Sequence, residues 1–211
     1  MNITAIVGSY RKGGTIDQAI DEILDAAKES GAVTTKHYLT DRRISYCTNC
    51  RSCTQQEGLR RGTCVQDDDM ERVLRDLDAA DAIVLGSPMN AGTVTAVMKT
   101  FIERLIRFSY WPWGKPAPKT RNPEKKKAAV LVGSSAAPAF FAKRSGDVVR
   151  LLKTAANLLG AKSVGTLFIG LSAQKPHRKI GKRVKNRARA LGRQLAAAGK
   201  SLSDDSVLNR Y

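Results

Sequence analysis

All four cysteines of the chain, Cys47, Cys50, Cys53 and Cys64, fall inside one short segment. The two-residue gaps between the first three suit a shared metal centre better than a disulfide framework, which would staple distant segments together. Four thiolates on one irregular loop are the number a [4Fe–4S] cluster needs, one per iron. Ten residues separate Cys53 from Cys64, and closing such a loop costs little because closure entropy grows only logarithmically with length. Two further readings stay open: a four-thiolate zinc site that stiffens the segment, and thiols that hold no metal.

A second signature lies near the N-terminus. Gly8-Ser9-Tyr10-Arg11-Lys12-Gly13-Gly14-Thr15 sets hydroxyls, cations and glycine-opened backbone at a helix start, where free N–H groups and the helix dipole favour an anion. Arg11 or Lys12 can add a charge-assisted contact. This is a phosphate cradle, distinct from the P-loop and from G-x-G-x-x-G; the competing reading is a polar turn with Thr15 as N-cap. No Ser/His/Asp set accompanies it. His37 lies in a strand pattern and His177 in a basic loop, so no catalytic side chain is assigned and the chemistry is expected from cofactors.

Alternating strand and helix patterns must position these residues. Ile3 to Val7 is a short apolar run, and Ile16, Ala19, Ile20, Ile23, Leu24 and Ala27 then recur at helical spacing. Further strands are expected at 34–39, 82–86, 128–132 and 164–169, with helices at 70–77, 96–108, 148–159 and 180–195. The cysteine segment at about 40–69 has no periodicity and reads as an insertion. Residues 109–127, rich in Pro and Trp, read as a lid or linker, and 199–211 as a flexible tail after a single domain spanning 1–198. Five strands alternating with helices imply a three-layer α/β sandwich around a parallel sheet. Ligands in such sheets bind beyond the carboxyl ends of the strands, so loops Ser9–Thr15, Ser87–Thr93 and Gly133–Ala137 are expected to converge.

On these residues the chain resembles the NADPH-dependent FMN reductase-like, flavodoxin-like superfamily, and within it the iron–sulfur flavoproteins. Gly8, Ser9, Arg11 and Gly14 match that family's first loop, with Tyr10, Thr15 and Ile16 departing from it. Gly86-Ser87-Pro88-Met89-Asn90-Ala91-Gly92-Thr93, with Lys99, Phe101, Ile102 and Arg104 beyond, is similar to its Ser-Pro-x-Tyr-x-Gly signature, Asn90 replacing the frequent aromatic. The resemblance implies sheet order 2-1-3-4-5 and FMN as owner of the phosphate, held by Ser9, Arg11, Gly14 and Thr15. Pro88, Met89, Asn90, Ala91, Gly92 and Thr93 would line the isoalloxazine ring, Ser134 and Ser135 would form a third wall, and Trp111 and Trp113 would cover the flavin or pack in a dimer contact. It also implies that Cys47, Cys50, Cys53 and Cys64 ligate a [4Fe–4S] cluster, and that the protein is a homodimer or homotetramer.

The implied function is an FMN-dependent oxidoreductase relaying electrons from NAD(P)H or ferredoxin to a quinone or another acceptor; a cluster-free NAD(P)H-dependent flavin or quinone reductase is the alternative. The net charge of +17 is uneven, since residues 111–211 carry 22 Lys+Arg against 4 Asp+Glu. Such a field suits an acidic ferredoxin, a phosphorylated cofactor or a solvated face. A nucleic-acid binder using residues 175–193 is a third reading, disfavoured because interleaved aromatics and a reading motif are missing. Without an eighteen-residue apolar run or an export-type N-terminus, a soluble cytoplasmic protein is expected.

Overall fold

The computed structural model describes residues 1–58, 60–174 and 178–208. Seven strands run β1 Asn2–Val7, β2 Val33–Tyr38, β3 Ala82–Pro88, β4 Ser109–Tyr110, β5 Lys119–Thr120, β6 Lys127–Ser134 and β7 Ala161–Ile169. Five form a parallel sheet in the order β2-β1-β3-β6-β7, and β4 and β5 pair apart as a short antiparallel ribbon. Counted within the sheet alone, this is the expected 2-1-3-4-5 order. The helices are α1 Thr15–Glu29, α2 Met70–Ala79, α3 Ala96–Arg104, α4 Ala139–Ser145, α5 Val148–Leu158 and α6 Lys182–Leu208.

Strands covered on both faces become unbroken apolar runs, as Ala82 to Leu85 and Ala128 to Val132 are. Their alternation divides the core into two layers. Ala5, Val7, Val84, Val130 and Val132 pack with α1 and α6, whereas Ile6, Ile83, Leu85, Ala129 and Leu131 pack with α2, α3 and α5. Each fully buried aliphatic side chain contributes about 1.5–3 kcal/mol. In register, Val7 lies beside Gly86, Pro88 beside Ser134, and Ser134 beside Ile169. The loops that leave β1, β3, β6 and β7 therefore emerge along one edge.

Three elements differ from the sequence expectation. Helix α4 has no counterpart there, because it buries only Ala142 and turns Phe140 and Phe141 outward, leaving no apolar period to read. Residues 109–127 are neither lid nor free linker. They form the β4–β5 ribbon and brace the cysteine segment, with Trp111 N–H donating to the Thr54 carbonyl at 2.9 Å. Helix α6 continues to Leu208, beyond the 180–195 over which its apolar period runs. Gly199 is a close contact inside the helix: a Cβ there would meet the Met1 methyl at 2.1 Å. Residues 175–177, including His177, and 209–211 lie outside the described residues.

The basic helix also turns inward. Ala188, Leu191, Leu195 and Ala196 are buried on the sheet, and Lys185 and Arg189 pair with Glu22 and Glu29 of α1. Among the described residues no helix is long and apolar enough to cross a membrane.

Candidate functional site

The helix α1 begins without a side-chain cap: its N-cap is Gly14, and Thr15 is the first helical residue rather than the cap. Gln18 N–H is the first to reach a helical acceptor, the Gly14 carbonyl at 2.9 Å. The N–H groups of Thr15, Ile16 and Asp17 precede the ladder and need another partner. The loop before the helix turns on Ser9, whose hydroxyl accepts Arg11 N–H at 3.2 Å, and on Gly13, which holds φ at +72° in a region that glycine enters without penalty.

Charge around this helix start is sorted. Asp17 is buried and would repel an anion, yet its carboxylate accepts Gly13 N–H and the Tyr38 hydroxyl and pairs with Lys36. Burial alone would lower the Lys36 pKa; Asp17 and Asp21 overturn this and hold it above its usual value. Lys12 is paired with Asp41 at 2.7 Å, while Arg11 has no ion pair among the described residues. The free cation of the loop is therefore Arg11.

Hydrogen bonds join the strand-end loops. Gly8 N–H donates to the Gly86 carbonyl at 2.8 Å, Met89 N–H to the Ser134 carbonyl at 2.7 Å, and Ser135 N–H to the Ile169 carbonyl at 2.9 Å. Thr95, the N-cap of α3, accepts Met98 N–H and donates its hydroxyl to the Gly8 carbonyl at 2.5 Å. Between these loops lies a cavity of about 680 Å³ lined by Ser9, Arg11, Gly14, Thr15, Pro88, Met89, Asn90, Ser134 and Ser135, a volume within the range of cofactor sites.

Ala91, Gly92 and Thr93 do not line that cavity. Ala91 and Gly92 hold φ values of 47° and 81°, and Asn90 and Thr93 exchange backbone hydrogen bonds across them, which makes them the tip of a tight turn. Trp111 and Trp113 are also absent from it; both rings stack against the Arg51 guanidinium, each centroid 4.0 Å away. The sequence reading missed Ser172, Ala173 and Arg178, which close the far wall. Ser172 N–H and hydroxyl both donate to the Ser135 carbonyl. Applying the strand-end rule to the fifth strand as well would have found this loop.

The cysteine segment stands beside the other end of α3. Cys53 is buried, Cys47 and Cys64 are half-buried, Cys50 is exposed, and all four are free. Burial raises the Cys53 thiol pKa first, and then nearby Cys64, Cys47 and Cys50 raise it further, against Arg107. Hydrogen bonds from Ser52 lower that of Cys50. Among the described residues no three His, Cys, Asp or Glu side chains are grouped to hold a metal ion.

Arginines hold this segment in place. Arg51 donates to the Trp111 carbonyl at 2.7 Å, Arg107 to Gly62 at 2.7 Å, and Arg121 to Cys53 at 3.3 Å and to Gln56. The Nε atoms of Arg51 and Arg104 are buried without a hydrogen-bond partner. Buried orphan donors are costly, and Arg104, whose Nη2 already reaches the Cys64 sulfur at 3.5 Å, is the one of these two that an anionic sulfur group there would serve, so this donor fits a cluster. Arg61 and Arg107 converge on Glu71. Hydrogen bonds from Arg61 lead, against burial, and the Glu71 pKa falls from 4.5 to about 2.

In that window the unfolded chain binds more protons than the folded one, so stability is present above pH 4.5 and is lost as pH falls toward 2. Melting temperature measured against pH is expected to drop across this range, and Glu71→Gln to flatten that part of the profile.

Residues 1–175 match the NADPH-dependent FMN reductase family. An iron–sulfur flavoprotein of Archaeoglobus fulgidus is 38% identical over 112 residues, covering 53% of this chain and 49% of that protein. One of Methanosarcina thermophila is 33% identical over 106 residues, covering 50% and 53%. The chain thus spans about half the length of the curated relatives it matches. The solved structure of an NAD(P)H:quinone oxidoreductase from Methanothermobacter marburgensis superposes with a TM-score of 0.68 at 16% identity, covering 92% of this chain and 98% of that one, a likeness of fold.

Proposed function

The chain belongs to the NADPH-dependent FMN reductase family, and on that premise we propose that it is an electron-transfer oxidoreductase with FMN in the strand-end cavity and a [4Fe–4S] cluster on Cys47, Cys50, Cys53 and Cys64. The observation that carries this reading is α3, which touches both sites. Its N-cap Thr95 donates to the loop after β1, and its last residue, Arg104, reaches the Cys64 sulfur at 3.5 Å. Nine residues of helix place these ends roughly 14 Å apart. When bound, FMN supplies two-electron chemistry and the cluster one-electron chemistry.

The chain's own residues bind and orient. The uncapped N–H groups of α1 and the Arg11 guanidinium receive the phosphate. Pro88, Met89 and Asn90 form one wall for the ring and Ser134 and Ser135 another, while Ala91, Gly92 and Thr93 hold the turn behind the first. NAD(P)H or ferredoxin would serve as donor and a quinone or similar compound as acceptor. The excess of cations in the second half favours an acidic partner protein. The relatives' names and the four cysteines of one segment support a cluster over a plain flavin reductase.

Anaerobically purified protein tests this through its visible spectrum and its FMN and iron contents. One FMN and about four irons per chain are expected, with Cys50→Ser losing the iron and keeping the FMN. Flavin without iron would reduce the protein to the cluster-free reductase, and protein that binds no FMN would overturn both readings.

A further inference from the structure

Among the described residues Arg104 is the largest fully buried side chain, with a side-chain exposure of 2%. Its Nη1 donates to the Ser45 carbonyl at 2.8 Å, Gln66 Oε1 at 2.9 Å and Asp68 Oδ2 at 2.6 Å. Its Nη2 donates to Asp68 Oδ1 at 3.2 Å and to Cys64 Sγ at 3.5 Å. One guanidinium from α3 thus grips residues before and after the cysteines. Asp68 already balances its charge, and accepts Ser45 and Met70 N–H as well. A fork serving only as a structural ion pair would be complete at that point. This one continues to a sulfur, and leaves the adjacent Nε buried with no acceptor.

A neutral thiol is a weak acceptor, whereas a thiolate is a strong one. The Nη2 donor that reaches Cys64 is therefore matched to the sulfur in its ligand form. Hydrogen bonds to ligand sulfurs are among the features that set cluster potentials, because they stabilise the more negative, reduced state. We propose that Arg104 is a positioning residue for the fourth ligand: it fixes Cys64 through an N–H···S bond and raises the reduction potential of the cluster. This rests on the cluster assignment made above.

Lysine at this position keeps a positive charge for Asp68 but cannot also reach Cys64, since its single ammonium lacks the planar fork. Redox titration of the whole protein with dithionite, followed by EPR, reads the effect as one electron passes from dithionite to the oxidised cluster. Arg104→Lys is expected to weaken reduction about tenfold, a midpoint lower by about 59 mV for one electron, with the FMN midpoint unmoved. In wild-type protein labelled with [15N]arginine, pulsed EPR of the reduced cluster is expected to reveal coupling to an arginine nitrogen, absent in Arg104→Lys. Absence of coupling in the wild-type protein decides against Arg104 even if the variant does not fold, and the folded variant separates Arg104 from Arg51 and Arg107, which hold the same segment. Full iron content with an unchanged midpoint, or without arginine coupling in the labelled protein, overturns the role of Arg104 and leaves the relay standing. Wild-type protein without iron overturns both.

Discussion

Gly62→Ala is expected to retain FMN and to lose its iron. An added Cβ at Gly62 would stand 1.7 Å from the Cys53 carbonyl oxygen and 3.0 Å from Cys53 Cα, so the backbone of one of the two segments must move. Gly62 N–H donates to the Arg107 carbonyl at 2.8 Å, and Arg107 Nε donates back to the Gly62 carbonyl at 2.7 Å. This reciprocal pair and the close approach hold Gly62, two residues before Cys64, against the Cys53 backbone. Overpacking of this kind costs about 1–3 kcal/mol, enough to reduce occupancy of a four-thiolate site by roughly tenfold or more. The cavity that would hold FMN takes no wall from the cysteine segment, so flavin content serves as the internal control. Iron and flavin assays on the same anaerobic preparation check it, and wild-type iron in Gly62→Ala would show that the close approach does not govern the fourth ligand.

Arg11→Ala is expected to weaken FMN binding by about tenfold and to leave riboflavin binding nearly unchanged. The two ligands differ by the phosphate, and a hydrogen bond to a charged group contributes about 1.5–3 kcal/mol. The lower end is appropriate because Arg11 is exposed. Lys12→Ala is expected to do less, since that ammonium is already held by Asp41. Fluorescence titration of flavin-free protein with each ligand distinguishes them. An equal loss for riboflavin would mean that Arg11 shapes the loop rather than contacting the phosphate.

These effects differ in how far they could be foreseen. Arg11, Gly14 and Thr15 were legible because a strand, a glycine-rich turn and a helix follow one another without a gap, and the physics of a helix N-terminus is local. The paired loops at Pro88 and Ser134 were legible for a similar reason: strands buried on both faces appear as apolar runs, and the strand order brings their ends to one edge. The four cysteines could be read as one set from their spacing alone.

Other features had no local pattern to betray them. Gly62 reads as one more glycine in an irregular segment until Cys53 is packed against it. Trp111 and Trp113 read as flavin covers until Arg51, some sixty residues earlier in the chain, is found stacked on both. Ser172 and Arg178 join the cavity only because β7 ends beside β6. The sequence by itself determined the layered fold, the glycine-rich loop at the start of α1 and the set of thiols, because each follows from periodicity or spacing among neighbouring residues. Tertiary structure alone decided what packs against Cys53, which guanidinium reaches Cys64 and which loop closes the cavity, because those contacts join segments distant in the chain and depend on packing in three dimensions.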